Sequence, residues 1–255
     1  MDPFNGYSFY YNMLYKDKDY RGEVEYIDKL IKENVSEAKT ILDLGCGTGN
    51  HAQLLAERNY KVNGVDVSEN MLSIAKQIPP NPNLSFQHGD IRSLSLGIKY
   101  DIVLSLFHVM SYQTKTTDLL SAFHTLHNHL NESGVFLFDC WFGPAVMKSP
   151  PSVRIKRLED DMVRIIRIAE PVMYPTKNTV DVNYEMIVQN KLSGVMSTFK
   201  ETHTMRYLFV PEIEILLRQA KLTMIACEEW MTRKKPDFDT WNIMIIGKIS
   251  PPETL

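Results

Sequence analysis

One stretch, Thr40–Asn50 (Thr-Ile-Leu-Asp-Leu-Gly-Cys-Gly-Thr-Gly-Asn), limits what this chain can fold into more than any other. Ile41, Leu42 and Leu44 make an apolar run of strand length, glycines follow at 45, 47 and 49, and a helix-capable segment starts near His51. The order is strand, glycine turn, helix. Glycines there permit positive φ and let a ligand approach bare backbone. The turn ends at a helix N-terminus, whose free N–H groups attract polar or anionic ligand groups. A dinucleotide fingerprint, G-x-G-x-x-G, needs its third glycine where Asn50 stands. The pattern is instead D-x-G-x-G-x-G, beginning at Asp43. A second strand, Lys61–Asp66, ends in an acid about 20 residues further on, the spacing at which a carboxylate takes ribose hydroxyls.

Strands and helices alternate from there. Ser68 is a good N-cap for a helix that holds Met71, Leu72, Ile74 and Ala75. Leu84–His88 is a short third strand running into Gly89-Asp90-Ile91, where an acid can accept from an adenine amino group and Ile91 can flank the ring. Tyr100–Tyr112 begins as a continuous apolar strand, as expected for a central parallel strand covered on both faces. Its C-terminal end delivers Ser105, Leu106, Phe107 and His108 to the edge where open α/β sheets bind ligands. Leu119, Ala122, Phe123, Leu126 and Leu130 form a helical stripe, and Gly134–Trp141 is a fifth strand. Such alternation predicts a doubly wound parallel sheet.

After Pro150 the period changes to two. Charges alternate with apolar residues, as in Val180-Asp181-Val182-Asn183-Tyr184-Glu185, and turn residues punctuate the run. These are antiparallel hairpins with one solvated face, a small sheet inserted over 151–206. A helix from Pro211 to Ala220 and two strands, 222–230 and 241–249, close the large sheet, the last pair antiparallel. The fold class is therefore α/β. Seven strands form a doubly wound core from 1–150 and 207–255, and 151–206 forms part of a substrate pocket. Before the first core helix, residues 4–20 are crowded with rings: Phe4, Tyr7, Phe9, Tyr10, Tyr11, Tyr15 and Tyr20. Rings with a wet hydroxyl tip suit either a lid over a ligand or an arm packed on the body.

Charge and cysteines exclude several classes. The 255 residues carry a net charge of -3, without the basic excess of a surface that tracks nucleic-acid phosphates. Three scattered cysteines, Cys46, Cys140 and Cys227, fit a reducing compartment and show no metal spacing. The start Met-Asp-Pro-Phe-Asn-Gly lacks a signal-peptide pattern, and no apolar run approaches the ~20 residues of a membrane span. The expectation is a cytoplasmic protein with a small-molecule partner, no nucleic acid, no membrane and no metal; a homodimer is compatible with the sequence.

Leu42–Gly49 resembles the first motif of class I S-adenosylmethionine-dependent methyltransferases, which have a Rossmann-like core. A narrower likeness, to bacterial N,N-dimethyltransferases of nucleotide-linked amino deoxysugars, runs through most of the chain. It rests on Tyr11-Asn12, Lys18-Asp19-Tyr20, the glycine motif with His51, and Gly89-Asp90-Ile91-Arg92. Leu106-Phe107, Asp139–Pro144, and Glu201-Thr202-His203 ahead of Leu208-Phe209 continue it. The resemblance implies S-adenosyl-L-methionine as cofactor. Asp66 would hold its ribose, and Asp90 with Ile91 its adenine. Asp43, Gly45, Cys46, Gly47, Asn50, His51, Val67, Met71 and Ser105–Phe107 would surround the rest, with Tyr11 and Tyr20 as lid residues. It also implies a small-molecule methyl acceptor, methylated at N or O: a nucleotide-activated amino sugar or sugar hydroxyl foremost, with another small polar metabolite as the alternative. Two departures stand out: Tyr112 occupies the place of a family histidine suspected of catalysis, and Trp141-Phe142 replaces paired tryptophans.

The candidate bases are His203, His108 and Tyr112, with Asp139 also well placed, while His124, His127 and His129 read as surface residues. Trp141, Phe142 and Trp230 are candidates for a substrate-pocket floor or for packing. Two other functions fit the glycine turn: a nicotinamide-dependent oxidoreductase, disfavoured by Asn50, and a non-catalytic protein that keeps the cofactor site.

Overall fold

The computed structural model describes residues 6–251, apart from the side chain of Phe9. Phe4 and the Phe9 ring, both counted in the aromatic arm, lie outside the described residues. Strands β1 (Thr40–Leu44), β2 (Lys61–Asp66), β3 (Leu84–His88), β4 (Tyr100–Ser105) and β5 (Leu130–Phe142) pair in parallel in the order β3-β2-β1-β4-β5. Towards the C-terminus, β10 (Leu222–Glu229) and β11 (Asn242–Ile249) pair antiparallel, and β11 runs antiparallel against β5. These are the seven strands and the closing pair that the alternating pattern foretold. The strand order reverses between β1 and β4, which opens a crevice at their C-terminal ends.

Alternation along each strand divides the core into two layers. Ile41, Ile102, Leu104 and Leu137 pack under α2 (Tyr20–Asn34), which follows α1 (Tyr11–Leu14) of the arm, and α3 (Asn50–Ala56), against Val24, Ile27, Leu30 and Leu55. Leu42, Leu44, Val103, Phe136 and Phe138 pack under α5 (Thr116–His129) and α7 (Val210–Gln219). Each such fully buried side chain contributes about 1.5–3 kcal/mol, so the two layers hold the sheet edge that carries the site in place. Asp19 caps α2 by accepting from the Gly22 amide at 2.9 Å. Ser68 caps α4 (Glu69–Ala75) by accepting from Met71 N, and Pro211 sits in the first turn of α7. One helical histidine departs from expectation. His129 is buried, its Nε2 accepting from the Leu96 amide and its Nδ1 donating to Thr125 O, because the helix ends against the loop after β3.

Between α6 (Gly143–Lys148), which has no counterpart in the sequence reading, and α7 lies an antiparallel meander. Its strands are β6 (Arg154–Glu159), β7 (Val163–Tyr174), β8 (Thr179–Asn190) and β9 (Met196–Leu208). Its hydrogen bonding does not stop at its own edge. Tyr207 and Leu208 of β9 pair in parallel with Trp141 and Phe142 of β5, just beyond the point where β4 ends. The meander thus continues the large sheet above the crevice. It packs one face against the N-terminal arm, where Tyr7 and Leu14 meet Ile165, Met186 and Val188. Among the described residues no helix is long and apolar enough to cross a membrane.

Candidate active site

A cavity of about 1170 Å³ opens at the β1/β4 crevice and runs beneath the meander. Its floor is the glycine turn. Gly45 N and Cys46 N donate to Val65 O at 2.7 and 3.0 Å, which ties the turn to β2. Gly47 N donates to Asp66 Oδ2 at 2.8 Å, and Ser68 N donates to Asp66 Oδ1 at 2.8 Å. Both oxygens of Asp66 are therefore fixed in the cavity wall, where the carboxylate can also accept from a ligand hydroxyl. Gly47 has φ +55°, and a Cβ built on it would meet nothing within 4 Å. The bare backbone faces open cavity, so the turn forms a cradle that a side chain would fill. At Gly45 the constraint is contact instead: φ is +81°, and a Cβ would lie 2.5 Å from a Val109 methyl.

Burial raises the Asp66 carboxyl above its ordinary value, and the Ser68 and Gly47 amides offset only part of this. One strand over, burial and then the nearby Asp66 charge push Asp43 up to about 7. Asp90 is held below the carboxylate range by Arg92, whose Nε donates to both of its oxygens at 2.9 and 3.1 Å. Asp90 lines the cavity with its neighbour Ile91, so a ligand donor there would share that carboxylate with Arg92.

The arm covers the opposite side. The rings of Tyr7, Tyr11, Tyr15 and Tyr20 all line the cavity. Tyr15 meets Phe107 edge-on at 5.1 Å, and the Lys18 ammonium lies 4.5 Å above the rings of both Tyr20 and Phe107. Lys18 pairs with Glu23, which also holds His51 Nε2 at 2.7 Å, while Thr48 Oγ1 donates to Asn12 Oδ1 at 2.9 Å. The arm is thus anchored to the glycine turn and to α3. The arm both packs on the body, burying Tyr7 and Leu14 against the meander, and lends its rings to the cavity wall.

The end of β4 is strained. Phe107 and His108 are consecutive non-glycine residues at φ +65° and +66°. Such backbone persists only where its surroundings hold it. Here Asp139, 1% exposed, takes the His108 amide at 3.1 Å and lies 2.7 Å from His108 Nδ1. Burial would raise Asp139, but the His108 ring and amide outweigh it and leave the carboxyl below the usual range.

On the meander, hairpin register sets Arg167 and Tyr184 on the cavity face together with His203. His203, 3% exposed, has both ring nitrogens engaged: Tyr112 Oη lies 2.8 Å from Nδ1, and Glu201 Oε2 lies 3.3 Å from Nε2. Burial holds the Tyr112 hydroxyl well above its ordinary value, so it keeps its proton. Arg167 Nη1 donates to Tyr7 Oη at 2.9 Å, joining meander and arm.

Most residues singled out in sequence line this one cavity: Tyr11, Tyr20, Asp43, Gly45, Cys46, Gly47, Asn50, His51, Asp66, Val67, Met71, Asp90, Ile91, Leu106, Phe107, His108, Tyr112 and His203. Asp139 is not among the lining residues, and neither is Ser105. The latter is fully buried beneath the crevice, and its hydroxyl donates to Leu44 O at 3.0 Å, so it braces β1 against β4. Trp141 lines the cavity, whereas Phe142 belongs to the core and Trp230 packs edge-on against Tyr26. Sequence reasoning missed Arg154, Arg167, Tyr184 and Trp241 as lining residues. For Arg167 and Tyr184 the period-two alternation marks the strands, but only the hairpin register puts them on the face of His203.

Residues 41–134 match the family model described as a methyltransferase domain. Over 136 residues the chain is 32% identical to the dTDP-3-amino-3,4,6-trideoxy-alpha-D-glucopyranose N,N-dimethyltransferase of Streptomyces venezuelae, covering 52% of this chain and 56% of that protein. It is 28% identical over 169 residues to the dTDP-3-amino-3,6-dideoxy-alpha-D-glucopyranose N,N-dimethyltransferase of Streptomyces fradiae, covering 66% of this chain and 65% of that one. The matched region thus spans between half and two thirds of each of these relatives. The crystal structure of an S-adenosylmethionine-dependent methyltransferase from Clostridium acetobutylicum superposes with a TM-score of 0.81 at 24% identity, over 98% of this chain and 100% of that one. The fold is that of the class I, Rossmann-like methyltransferases. Within it, residues 41–134 match a methyltransferase domain, and S-adenosylmethionine is the cofactor named for the Clostridium neighbour. The Gly47 cradle and the Asp66 carboxylate fit that cofactor, the first by leaving room for its methionine end and the second by offering acceptors to its diol.

Proposed function

We propose that the protein transfers a methyl group from S-adenosylmethionine to a nitrogen or oxygen of a nucleotide-linked sugar, with an amino sugar favoured. The observation that carries this reading is the continuity of the cavity: the Gly47–Asp66 cradle and the polar, aromatic wall of the meander share one space. The names of both Streptomyces relatives, N,N-dimethyltransferases of dTDP-linked amino sugars, support the substrate class.

The bound cofactor supplies a methyl group already activated on a sulfonium. What remains for the chain is to hold the acceptor in line, keep water out and take a proton. In this reading Asp66 holds the ribose diol, Asp90 and Ile91 the adenine, and the backbone of Gly45–Gly47 with Leu106–Phe107 the methionine end. The arm tyrosines close the cavity, and residues 151–206 form its acceptor wall, where Arg154 and Arg167 can take an anionic linkage and Trp141 and Trp241 an apolar ring face. Orientation of this kind supplies roughly 7–11 kcal/mol of the barrier reduction. Asp139 binds the His108 amide and ring together, which gives His108 the work of holding the strained loop under the methionine end.

Calorimetry with S-adenosylhomocysteine tests the cofactor half: micromolar binding is expected, with loss of at least tenfold in Asp66→Ala. Absence of binding below millimolar would remove the reading. Incubation with S-adenosylmethionine and a panel of dTDP-linked amino and hydroxy sugars, read by mass spectrometry, tests the acceptor half. One or two added methyl groups on the amino members only is the expected result.

A further inference from the structure

Glu201 joins two parts of the site that are far apart in sequence. Its Oε1 accepts from the amides of Gly6 and Tyr7, at 2.6 and 2.9 Å, where the arm begins. Its Oε2 faces His203 Nε2 at 3.3 Å. With Oε1 taking two backbone amides, the Glu201 carboxylate is held in its accepting form; Oε2 then takes the ring proton of Nε2, and Nδ1 is the accepting nitrogen. Tyr112, which keeps its proton, then donates its O–H to Nδ1 across 2.8 Å. Tyr112 and His203 both line the cavity. The ring of His203 is clamped between Tyr7 at 5.3 Å and Tyr184 at 5.0 Å, so it cannot turn to exchange its nitrogens. The orientation of the whole chain Tyr112–His203–Glu201 is set at its far end by the docked arm.

From this we infer that Glu201 is a positioning residue that assembles a proton relay when the arm covers the cavity, and that Tyr112 is the group that takes the acceptor's proton. This rests on the methyltransferase reading above. The N–H or O–H bond of the acceptor breaks as an O–H bond forms on Tyr112. The original Tyr112 O–H bond breaks as an N–H bond forms at His203 Nδ1. His203 ends as an imidazolium beside the Glu201 carboxylate. No oxidant or further reactant enters, and the positive charge that leaves the sulfonium reappears on the ring. With the arm undocked, the two amides leave Glu201, and the carboxylate loses the contacts that aim it. Proton removal is thereby linked to exclusion of water.

Glu201→Gln separates the relay from mere packing. The glutamine oxygen still accepts from Gly6 and Tyr7, but its amide must donate to Nε2, which moves the ring proton to Nδ1 and reverses the Tyr112 contact. The ring-nitrogen chemical shifts of ¹⁵N-histidine-labelled full-length protein report this without any ligand. We expect the Nε2–H form of His203 in the wild type and in Tyr112→Phe, and the Nδ1–H form in Glu201→Gln. We expect kcat to fall about a hundredfold or more in both variants, within the range of general-base contributions. Affinity for S-adenosylhomocysteine should stay within a factor of three. Three results would each overturn the inference: an Nδ1–H wild type, an unchanged tautomer in Glu201→Gln, or wild-type turnover in Tyr112→Phe. Should Glu201→Gln fail to fold, the wild-type spectrum and Tyr112→Phe turnover still decide. Should the wild type bind no S-adenosylhomocysteine, the methyltransferase reading fails, while the tautomer measurement still decides whether Glu201 sets the ring.

Discussion

At the scale of single residues, the Gly47–Asp66 end of the site is built from backbone and from carboxylates that burial perturbs. Gly47 shows why the residue type matters. Alanine there must sit at φ +55°, which costs about 1–2 kcal/mol. Its methyl group would also project into the cradle. Gly47→Ala should therefore fold, with a stability loss of that size by urea denaturation, yet bind S-adenosylhomocysteine at least tenfold more weakly by calorimetry. Asp43 carries a different cost. Its carboxyl titrates near 7 in the folded chain against 3.8 in the unfolded one. The folded state therefore holds the proton more tightly, and the stability this contributes is present below about pH 4 and lost as pH rises through 7. Asp43→Asn removes the charge without removing volume. The variant should gain on the wild type by about 4 kcal/mol between pH 4 and pH 8, at 1.36 kcal/mol per unit. Parallel denaturation curves at the two pH values check it, and a pH-independent difference would refute the burial argument.

Elements matter because each delivers its residues to one edge. α4 is short, so its start depends on Ser68, whose Oγ caps Met71 N and whose own amide holds Asp66 Oδ1. Ser68→Ala should cost about 1 kcal/mol by loss of the cap. It keeps the amide, so S-adenosylhomocysteine affinity should change less than threefold, in contrast to Asp66→Ala. Much of this was legible in sequence. The strand–glycine–helix unit, the Asp66 spacing and the Ser68 cap are local patterns, and local patterns survive without tertiary context. Side chains set by burial or register were not legible. His129 lies on a helix whose apolar stripe is complete without it, so nothing local told that the helix end would be covered. Ser105 stands at the right strand end, but the pleat turns its hydroxyl down onto Leu44. Arg167, Tyr184 and His203 share a face only once the hairpin register is known.

The whole molecule is tied together above the site. The meander is bonded to β5 through β9, the arm is bonded to β9 through Glu201, and the arm is bonded to the glycine turn through Asn12 and Thr48. A ligand in the cradle therefore touches a closed ring of elements and not one lobe of a hinge. Two consequences follow for the full chain. At 100 times its Kd, S-adenosylhomocysteine should add about 2.7 kcal/mol to the unfolding free energy. For a chain of this size that is a rise in Tm of roughly 5–10 °C, taken as one transition. Protection from amide hydrogen exchange should rise in the arm amides of Gly6 and Tyr7 and along β9 near His203, although neither segment lies at the cradle itself. If protection rises only in the glycine turn and β2, the arm and meander are independent of the cofactor site, and the coupling through Glu201 has no role in closing it.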